Sequence, residues 1–380
     1  MTTRRTFLLA LGTGALVASG PGALATIQSL GTGRTFHTAT LLRTGKVLIA
    51  GGLAGNPTIQ TKSAELFDPA TGMFTGTGSP RSARSGHTAT LLAHGQVLIA
   101  GGAGDRSFPL ASAEIFDPPT GTFVATGSMA SIRGNRPTAT LLPTGKVLIV
   151  GGTVGRAFEE FPTSAELYDP ATRAFVATGS TLRARLDHTA TLLPNGKVLI
   201  AGGASGRLTE NGASAELYDP DNGTFAATGP MAKGPQNSQR ATLLPTGKVL
   251  IVGGRGSTIG RSSASDLASA QLYDPVSETF AATGSMGTIR VGHIAILLPT
   301  GNVLIAGGIG QASSSAELYD PEAGTFAATG SMGSGRYQSA AALLPNGKVL
   351  ITGGVHEMHD LNTAELYDPL AGTFCCAATR

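Results

Sequence analysis

Tryptophan is absent from this chain of 380 residues, and cysteine and charged residues are scarce. The two cysteines, Cys375 and Cys376, are adjacent and near the C-terminus, so they can neither cross-link distant segments nor form a cysteine-rich metal site. Charged residues make up 13% of the chain, and the formal net charge is +3, with Arg4 and Arg5 contributing at the N-terminus. Such a near-neutral chain argues against a nucleic-acid partner and against binding to a membrane surface.

Long hydrophobic runs are also missing, since no segment reaches the roughly 18 uninterrupted apolar residues that span a bilayer. We therefore expect no membrane insertion. Hydrophobic residues still make up 41% of the chain, which is enough for a core and excludes a disordered protein. The 54 glycines are too many for a helical protein and too few for collagen.

Residues 1–25 have the pattern of an export signal. Arg4 and Arg5 precede the apolar stretch Phe7–Val17, and Ala23-Leu24-Ala25 forms a small-x-small cleavage site. The segment Thr3–Leu8 resembles the twin-arginine signal, which a receptor reads and which is not an anchor. An ordinary secretory signal and a buried N-terminal helix are the alternatives. We predict a periplasmic or secreted protein whose mature part, residues 26–380, is one domain.

An internal repeat fills that domain. Pairs of glycines close apolar runs about 50 residues apart, which is the period of a propeller repeat. The pairs are Gly51-Gly52, Gly101-Gly102, Gly151-Gly152, Gly202-Gly203, Gly253-Gly254, Gly307-Gly308 and Gly353-Gly354.

Each repeat contains four short runs, which we name a, b, c and d. In the second repeat they are His87–Leu92, Gln96–Ala100, Ala113–Asp117 and Thr122–Ala125, separated by turns rich in Gly and Pro. Short β-rich runs between such turns are typical of strands. Run b is continuously apolar, so both faces of each sheet are expected to be covered. The pattern predicts an all-β fold, a seven-bladed β-propeller of four-stranded blades.

Side-chain size indicates the order of strands within a blade. Run a contains small Thr and Ala residues, and run d contains a phenylalanine in every repeat, which suits a wedge with strand a innermost. These phenylalanines are Phe74, Phe123, Phe175, Phe225, Phe280, Phe326 and Phe374. Ser29-Leu30 is similar to the Ser128-Met129 that follows strand d, so the N-terminal segment can supplement blade 7.

The Gly-Gly pair after strand b, the following Ala-Glu-Leu-Tyr-Asp-Pro and the late aromatic residue resemble the kelch repeat in all seven units. One departure is consistent, because the aromatic that is usually Trp is Phe. The resemblance implies a kelch propeller with strand a innermost, distantly similar to the central domain of galactose oxidase. Such propellers usually serve binding and less often carbohydrate chemistry.

The two faces of the predicted ring differ. Since strands alternate in direction, a–b and c–d turns lie on one face and b–c and d–a loops on the other. The a–b turns are nearly identical, whereas the b–c loops vary in length, which is typical of binding surfaces. An Arg-x-x-His pattern marks the start of strand a on the variable face. The predicted ligand-binding residues are Arg34, His37, Arg84, His87, Arg185, His188, Arg290, His293, Arg336 and Tyr337.

These arginines have two interpretations. They can form an anion-binding mouth, because guanidinium groups bind carboxylate or phosphate through paired hydrogen bonds. Alternatively each can pair inside its own blade with a strand-c glutamate, and regular recurrence favours this structural role. The glutamates are Glu65, Glu114, Glu166, Glu216, Glu317 and Glu365, while the fifth repeat has Gln271 and lacks the arginine.

Two smaller features have a similar ambiguity. His356, His359 and Asp360 form the one local group with metal-ligand residues, although a solvated polar loop is the favoured interpretation. Cys375 and Cys376 replace the Ala-Ala of another blade and can form either a vicinal disulfide or small-residue packing. No cofactor is expected from the sequence.

The leading functional hypothesis is an exported binding module, monomeric, with a protein, peptide or glycan as ligand. The alternative is a carbohydrate-active propeller similar to kelch sugar epimerases, in which a Glu or His would move a proton. A copper-radical oxidase is disfavoured, because its site needs two Tyr, two His and a Cys linked to Tyr. Here five of six tyrosines occupy strand c, and only Tyr337 lies elsewhere. A surface-array protein is the third hypothesis.

Overall fold

Each repeat folds as a four-stranded antiparallel sheet in the computed structural model, which describes residues 27–55, 59–155, 161–204, 213–231, 238–256, 265–309 and 313–376. The strands pair in the order a-b-c-d within every sheet. The all-β class and the seven blades predicted from the sequence are confirmed. The predicted export signal, residues 1–25, lies outside the described residues.

The strands have the following bounds in blades 1 to 7. Strand a spans Thr38–Leu41, Thr88–Leu91, Thr138–Leu141, Thr189–Leu192, Arg240–Leu243, Ile294–Leu297 and Ala340–Leu343. Strand b spans Val47–Ala50, Val97–Ala100, Val147–Val150, Val198–Ala201, Val249–Val252, Val303–Ala306 and Val349–Thr352. Strand c spans Ala64–Asp68, Ala113–Asp117, Ser164–Asp169, Ala215–Asp219, Ala270–Asp274, Ala316–Asp320 and Ala364–Asp368. Strand d spans Met73–Gly76, Thr122–Ala125, Ala174–Ser180, Thr224–Ala227, Thr279–Ala282, Thr325–Ala328 and Thr373–Cys376.

In the described parts of the b–c loops, three short hairpins occur. The strand pairs are Leu53–Ala54 with Ile59–Gln60, Arg255–Gly256 with Ser265–Asp266, and Val355–His356 with His359–Asp360. The b–c loop of blade 2 contains a single 3-10 turn, Asp105–Ser107. These elements distinguish the loop face from one blade to the next.

Strand a lines the axis, as the size taper predicts. Consecutive a strands contact one another around a closed ring, including those of blades 1 and 7. Strand b is buried on both faces because its residues alternate between the two neighbouring blades. For example, Leu48 and Ala50 of blade 1 pack with Val97 and Ile99 of blade 2 in one hydrophobic cluster. The core therefore consists of seven clusters between blades.

The glycine pairs are required by close contact between blades. Gly51 has φ of +61°, a left-handed conformation that favours glycine. A Cβ atom added there would lie 2.5 Å from the carbonyl oxygen of Arg84 in the next blade. A side chain at this position would separate the blades, which explains why the pair marks every repeat.

The N-terminal segment closes the ring. The backbone N–H of Gln28 donates to Gly72 O at 2.9 Å in blade 1, as Gly78 does to Gly121 O between blades 1 and 2. The N–H of Leu30 donates to Asn362 O at 2.8 Å in blade 7. Leu30 thus takes the position that Met129 holds between blades 2 and 3, where the Met129 N–H donates to Ala111 O, in agreement with the sequence similarity. Within the described residues, no helix has the length and hydrophobicity of a membrane span.

Candidate functional site

The arginines of the repeated pattern are buried inside the blades. In blade 2, Arg84 Nη2 donates to Glu114 Oε1 at 2.8 Å and Nη1 donates to Gly101 O at 2.9 Å. The other pairs are Arg34–Glu65 at 2.5 Å, Arg133–Glu166 at 3.1 Å, Arg185–Glu216 at 2.6 Å, Arg290–Glu317 at 2.8 Å and Arg336–Glu365 at 2.6 Å. Each of these arginines is at most 2% exposed.

The geometry accounts for these arginines as structural elements. Each guanidinium joins strand c to the end of strand b, and the glutamate also accepts backbone N–H groups, as Glu114 does from Arg81 and Ser82. Buried charges are stable only when they are paired in this way. A ligand-binding role for them stays a prediction, and the six pairs favour the structural interpretation.

The histidines are buried beside these arginines. His37, His87 and His188 place Nε2 2.9, 3.2 and 2.8 Å from the hydroxyls of Thr352, Thr38 and Thr138 in the preceding blade. Burial, reinforced by the nearby arginines, lowers the pKa of all three to about 3. Burial also lowers the pKa of His293 well below its usual value. All four imidazoles are therefore neutral near pH 7, and each occupies a contact between blades.

Of the remaining residues singled out in the sequence, Tyr337 and the histidine pair lie elsewhere on the loop face, and Cys375 lies in strand d. Tyr337 is half-buried and its backbone N–H donates to Val355 O at 3.2 Å. His356 and His359 are paired across a hairpin, and His356 lies 3.9 Å from the Glu357 carboxylate. Cys375 packs against the cluster between blades 1 and 7. The Cys376 side chain lies outside the described part of the chain, so the disulfide hypothesis stays a prediction.

A second ring of residues lies closer to the axis and was missed by sequence reasoning. It is formed by the residue immediately before the histidine position of each repeat, and all seven members have positive φ between 53° and 69°. They are Phe36, Gly86, Arg136, Asp187, Ser238, Gly292 and Gln338. We call this set the mouth ring. The sequence does contain a sign of the mouth ring, because the residue type varies at this one position of an otherwise regular repeat.

Backbone hydrogen bonds link neighbouring members of the mouth ring at three junctions. The N–H of Gly86 donates to Phe36 O, that of Arg136 to Gly86 O and that of Gln338 to Gly292 O, each at 2.9 Å. Non-glycine residues in the left-handed region carry backbone strain, and such strain concentrates at functional sites. The ring thus holds side chains of very different chemistry at equivalent points around the axis.

The mouth ring surrounds a cavity of about 240 Å³ at the end of the central channel. Its walls include Phe36, Arg136, Asp187 and Gln338 of the ring, together with Arg240 from strand a of blade 5. Arg136 Nη1 donates to Asp187 Oδ2 at 2.5 Å, and Ser238 Oγ donates to the same oxygen at 2.5 Å. The Arg136 guanidinium also lies 4.8 Å from the centre of the Phe36 ring, a favourable cation–π contact.

A larger concavity of about 690 Å³ lies beside the channel mouth, between the loops of blades 1 and 2. Phe36 lines both spaces. The hairpin residues Ile59 and Gln60 form one wall and the turn Asp105–Ser107 forms another, joined by a 3.1 Å hydrogen bond from Gln60 Nε2 to Ser107 Oγ. Both spaces open on the b–c/d–a face.

No family model matches this chain, and no curated protein matches it. Among solved structures it is similar to one described as a novel fungal alcohol oxidase with catalytic diversity among the AA5 family, in complex with copper. The TM-score is 0.70 at 17% sequence identity, and the match covers 92% of this chain and 76% of that one. At this identity the likeness establishes the fold, and it agrees with the kelch-type propeller and the distant similarity to galactose oxidase expected from the repeats.

The part of the chain that the structure describes shows no group that fits a copper centre. Within the described ranges, no three His, Cys, Asp or Glu side chains lie together in a group that could hold a metal ion. The strand-c tyrosines are engaged between blades, as Tyr218 and Tyr273 are with the hydroxyls of Thr178 and Thr228 at 2.9 and 3.0 Å. No copper chemistry is therefore assigned to them.

Proposed function

We propose that this protein is an exported kelch-type propeller that binds a protein, peptide or glycan through its b–c/d–a face. The observation that carries the proposal is the pair of adjacent concavities on that face, whose walls differ from blade to blade. Concave sites with a few convergent polar groups are the usual form of a ligand site. Export rests on the pattern of residues 1–25.

The opposite face supports the proposal by its uniformity. In all seven blades, the residue after strand a donates its N–H across the a–b turn at 2.8 Å, as Leu142 does to Lys146 O. A groove of about 360 Å³ between blades 1 and 7 is lined there by repeated turn residues such as Gly45, Asp68 and Pro345. This face offers nearly the same surface seven times, whereas the loop face offers one distinctive surface.

Exposed apolar residues allow the two faces to be compared directly. Ile59 and Phe108 are 62% and 52% exposed in the b–c loops of blades 1 and 2. Val276 and Leu370 are each 93% exposed in c–d turns on the opposite face. None of the four belongs to the hydrophobic clusters between blades.

The experiment compares these two pairs on glycan and peptide arrays. We expect wild-type protein to bind a defined set of array ligands, and Ile59→Asp with Phe108→Asp to weaken that binding at least about tenfold. The matched variant Val276→Asp with Leu370→Asp should bind as the wild type does. Equal losses in both variants, or no ligand on either array, would reject binding through the loop face.

The carbohydrate-active alternative gains no support from the repeated residues. A sugar epimerase needs a Glu or His that exchanges a proton with substrate. The glutamates of the pattern are in buried ion pairs, and the histidines are neutral and enclosed between blades. Catalysis is therefore not part of the proposal.

A further inference from the structure

Arg240 occupies a position that elsewhere provides a hydroxyl contact for the histidine of the next blade. The first residue of strand a supplies a hydroxyl to the histidine of the next blade, as Thr38 does for His87 and Thr138 for His188. In blade 7 this residue is Ala340, and the hydroxyl moves to its strand-b partner Thr352, which contacts His37. The histidine contact is thus retained even where the threonine is lost.

Blade 5 shows no such replacement. The first residue of its strand a is Arg240, the strand-b partner is Val252, and the next blade presents His293. The positive charge of Arg240 lies close enough to lower the pKa of His293 further, after burial itself. Among the described residues, His293 is left with no hydrogen-bond partner on either ring nitrogen. A departure from a rule that the rest of a fold keeps makes Arg240 a candidate functional position.

The charges around Arg240 are not balanced. Asp187 serves both cations of the cavity, because it pairs with Arg136 and also interacts with Arg240. Although burial raises the pKa of Asp187, Arg136, Ser238 and Arg240 together hold it below its usual range. Asp187 is therefore ionised, and two guanidinium groups face one carboxylate. The described residues that line the cavity therefore carry a surplus of one positive charge.

The dimensions of the cavity limit what can neutralise that charge. Its volume of about 240 Å³ lies below the roughly 300–1,000 Å³ of pockets for drug-sized ligands. Its polar lining includes Thr138, Ser339 and the edges of His37 and His87. Arg240 lines this cavity, and within the described residues it makes one hydrogen bond, from Nη1 to Gln239 O at 3.1 Å. A guanidinium has five N–H donors, so Arg240 has donors left for a ligand.

We infer that the channel mouth binds a small monocarboxylate, with its carboxylate on Arg240 and Arg136. This inference rests on the proposed function, since it assigns a ligand class to the loop face. A single negative charge balances the surplus, whereas a phosphate dianion would leave the site negative. The planar guanidinium also matches a carboxylate through two parallel hydrogen bonds.

The test is isothermal titration of the purified protein with D-glucuronate and N-acetylglycine as monocarboxylates. D-glucose and N-acetylglycinamide are their neutral counterparts, and inorganic phosphate is the competing anion. We expect at least one monocarboxylate to bind at concentrations of about 10 mM or below, with weaker binding of phosphate and none of the neutral compounds. Phosphate binding as tight as that of the monocarboxylate would overturn the inference.

Variants connect the binding to Arg240. Arg240→Thr restores the residue of other blades, so the fold should be retained, and affinity should fall roughly tenfold to a hundredfold, the loss typical of a hydrogen bond to a charged group. Arg81→Thr changes an exposed arginine on the same face and should leave affinity unchanged. Asp187→Asn removes the internal competitor and should tighten binding, which a purely structural Arg240 would not allow.

The outcomes separate this inference from the proposed function. If no monocarboxylate binds but array ligands remain sensitive to Ile59→Asp with Phe108→Asp, the carboxylate site is rejected and the binding face stands. If a monocarboxylate binds with equal affinity to wild type and Arg240→Thr, the site is also rejected. If neither monocarboxylates nor array ligands bind, both proposals fail.

Discussion

Two rings of side chains lie only two or three residues apart in the sequence of the six repeats that contain both, yet they have opposite characters. The outer ring consists of the six arginines that pair with strand-c glutamates, and its chemistry is the same wherever it occurs. The mouth ring has the same backbone conformation in all seven blades but carries Phe, Gly, Arg, Asp, Ser and Gln. A position that pairs inside its own blade keeps one residue type wherever the pair occurs, whereas a position at the channel mouth is free to specialise.

The strongest test of this contrast is to break one outer pair. Arg84→Ala leaves Glu114 buried without its guanidinium, and such a loss costs about 3–5 kcal/mol of unfolding free energy. Urea unfolding followed by circular dichroism measures the effect. Lys146→Ala is the control, because the Lys146–Asp169 pair at 3.4 Å is partly exposed and should contribute less than about 1 kcal/mol. Similar losses in the two variants would contradict a structural outer ring.

The buried histidines should make stability depend on pH. These histidines have a pKa of about 6.5 in the unfolded chain and of about 3 in the folded protein. Between these two pH values the unfolded chain binds protons that the folded protein does not bind. Stability is therefore fully present above pH 6.5 and falls as pH decreases towards 3. Each histidine contributes up to about 1.4 kcal/mol per pH unit in this window.

The variant His188→Gln isolates one histidine, because glutamine already occupies this position as Gln239, whose Nε2 donates to Ala201 O at 2.7 Å. We expect unfolding midpoints that fall less steeply than those of the wild type between pH 6.5 and 3. His94→Gln, at an exposed histidine of an a–b turn, is the control and should follow the wild type. An unchanged slope in His188→Gln would show that His188 is not held neutral in the folded state.

The outer ring could be derived from the sequence, and the mouth ring could not, for a physical reason. Arg84 and Glu114 have counterparts in five other repeats because the same buried contact is made in six of the seven blades. Only two of the seven mouth-ring members are glycine, so positive φ is not visible at Phe36, Arg136 or Asp187. Arg240 also escaped notice, because its significance depends on the histidine of the following blade.

The link between blades through tyrosine provides a test of intermediate size. Tyr218 shares a 2.9 Å hydrogen bond with Thr178 of the preceding blade, while blades 1 and 2 have Phe67 and Phe116 at the same position. Tyr218→Phe keeps the ring contact with Phe225 at 4.8 Å and should cost about 0.5–1.5 kcal/mol. Urea unfolding measures the loss, and Tyr218→Leu, which also removes the ring, should lose more. If Tyr218→Phe left the unfolding free energy unchanged, the tyrosine would stabilise the fold through packing alone.

The last test is the most specific one for the mouth ring and its neighbours. Arg240→Thr should raise the unfolding free energy by about 0.5–1.5 kcal/mol, because a threonine hydroxyl would meet His293 as Thr138 meets His188. Thr138→Ala makes the reverse change in blade 3 and should lower stability by a similar amount. Urea unfolding of the two variants measures both signs. If Arg240→Thr were less stable than the wild type, Arg240 would be a structural residue. The contrast between a uniform outer ring and a specialised channel mouth would then be wrong at Arg240.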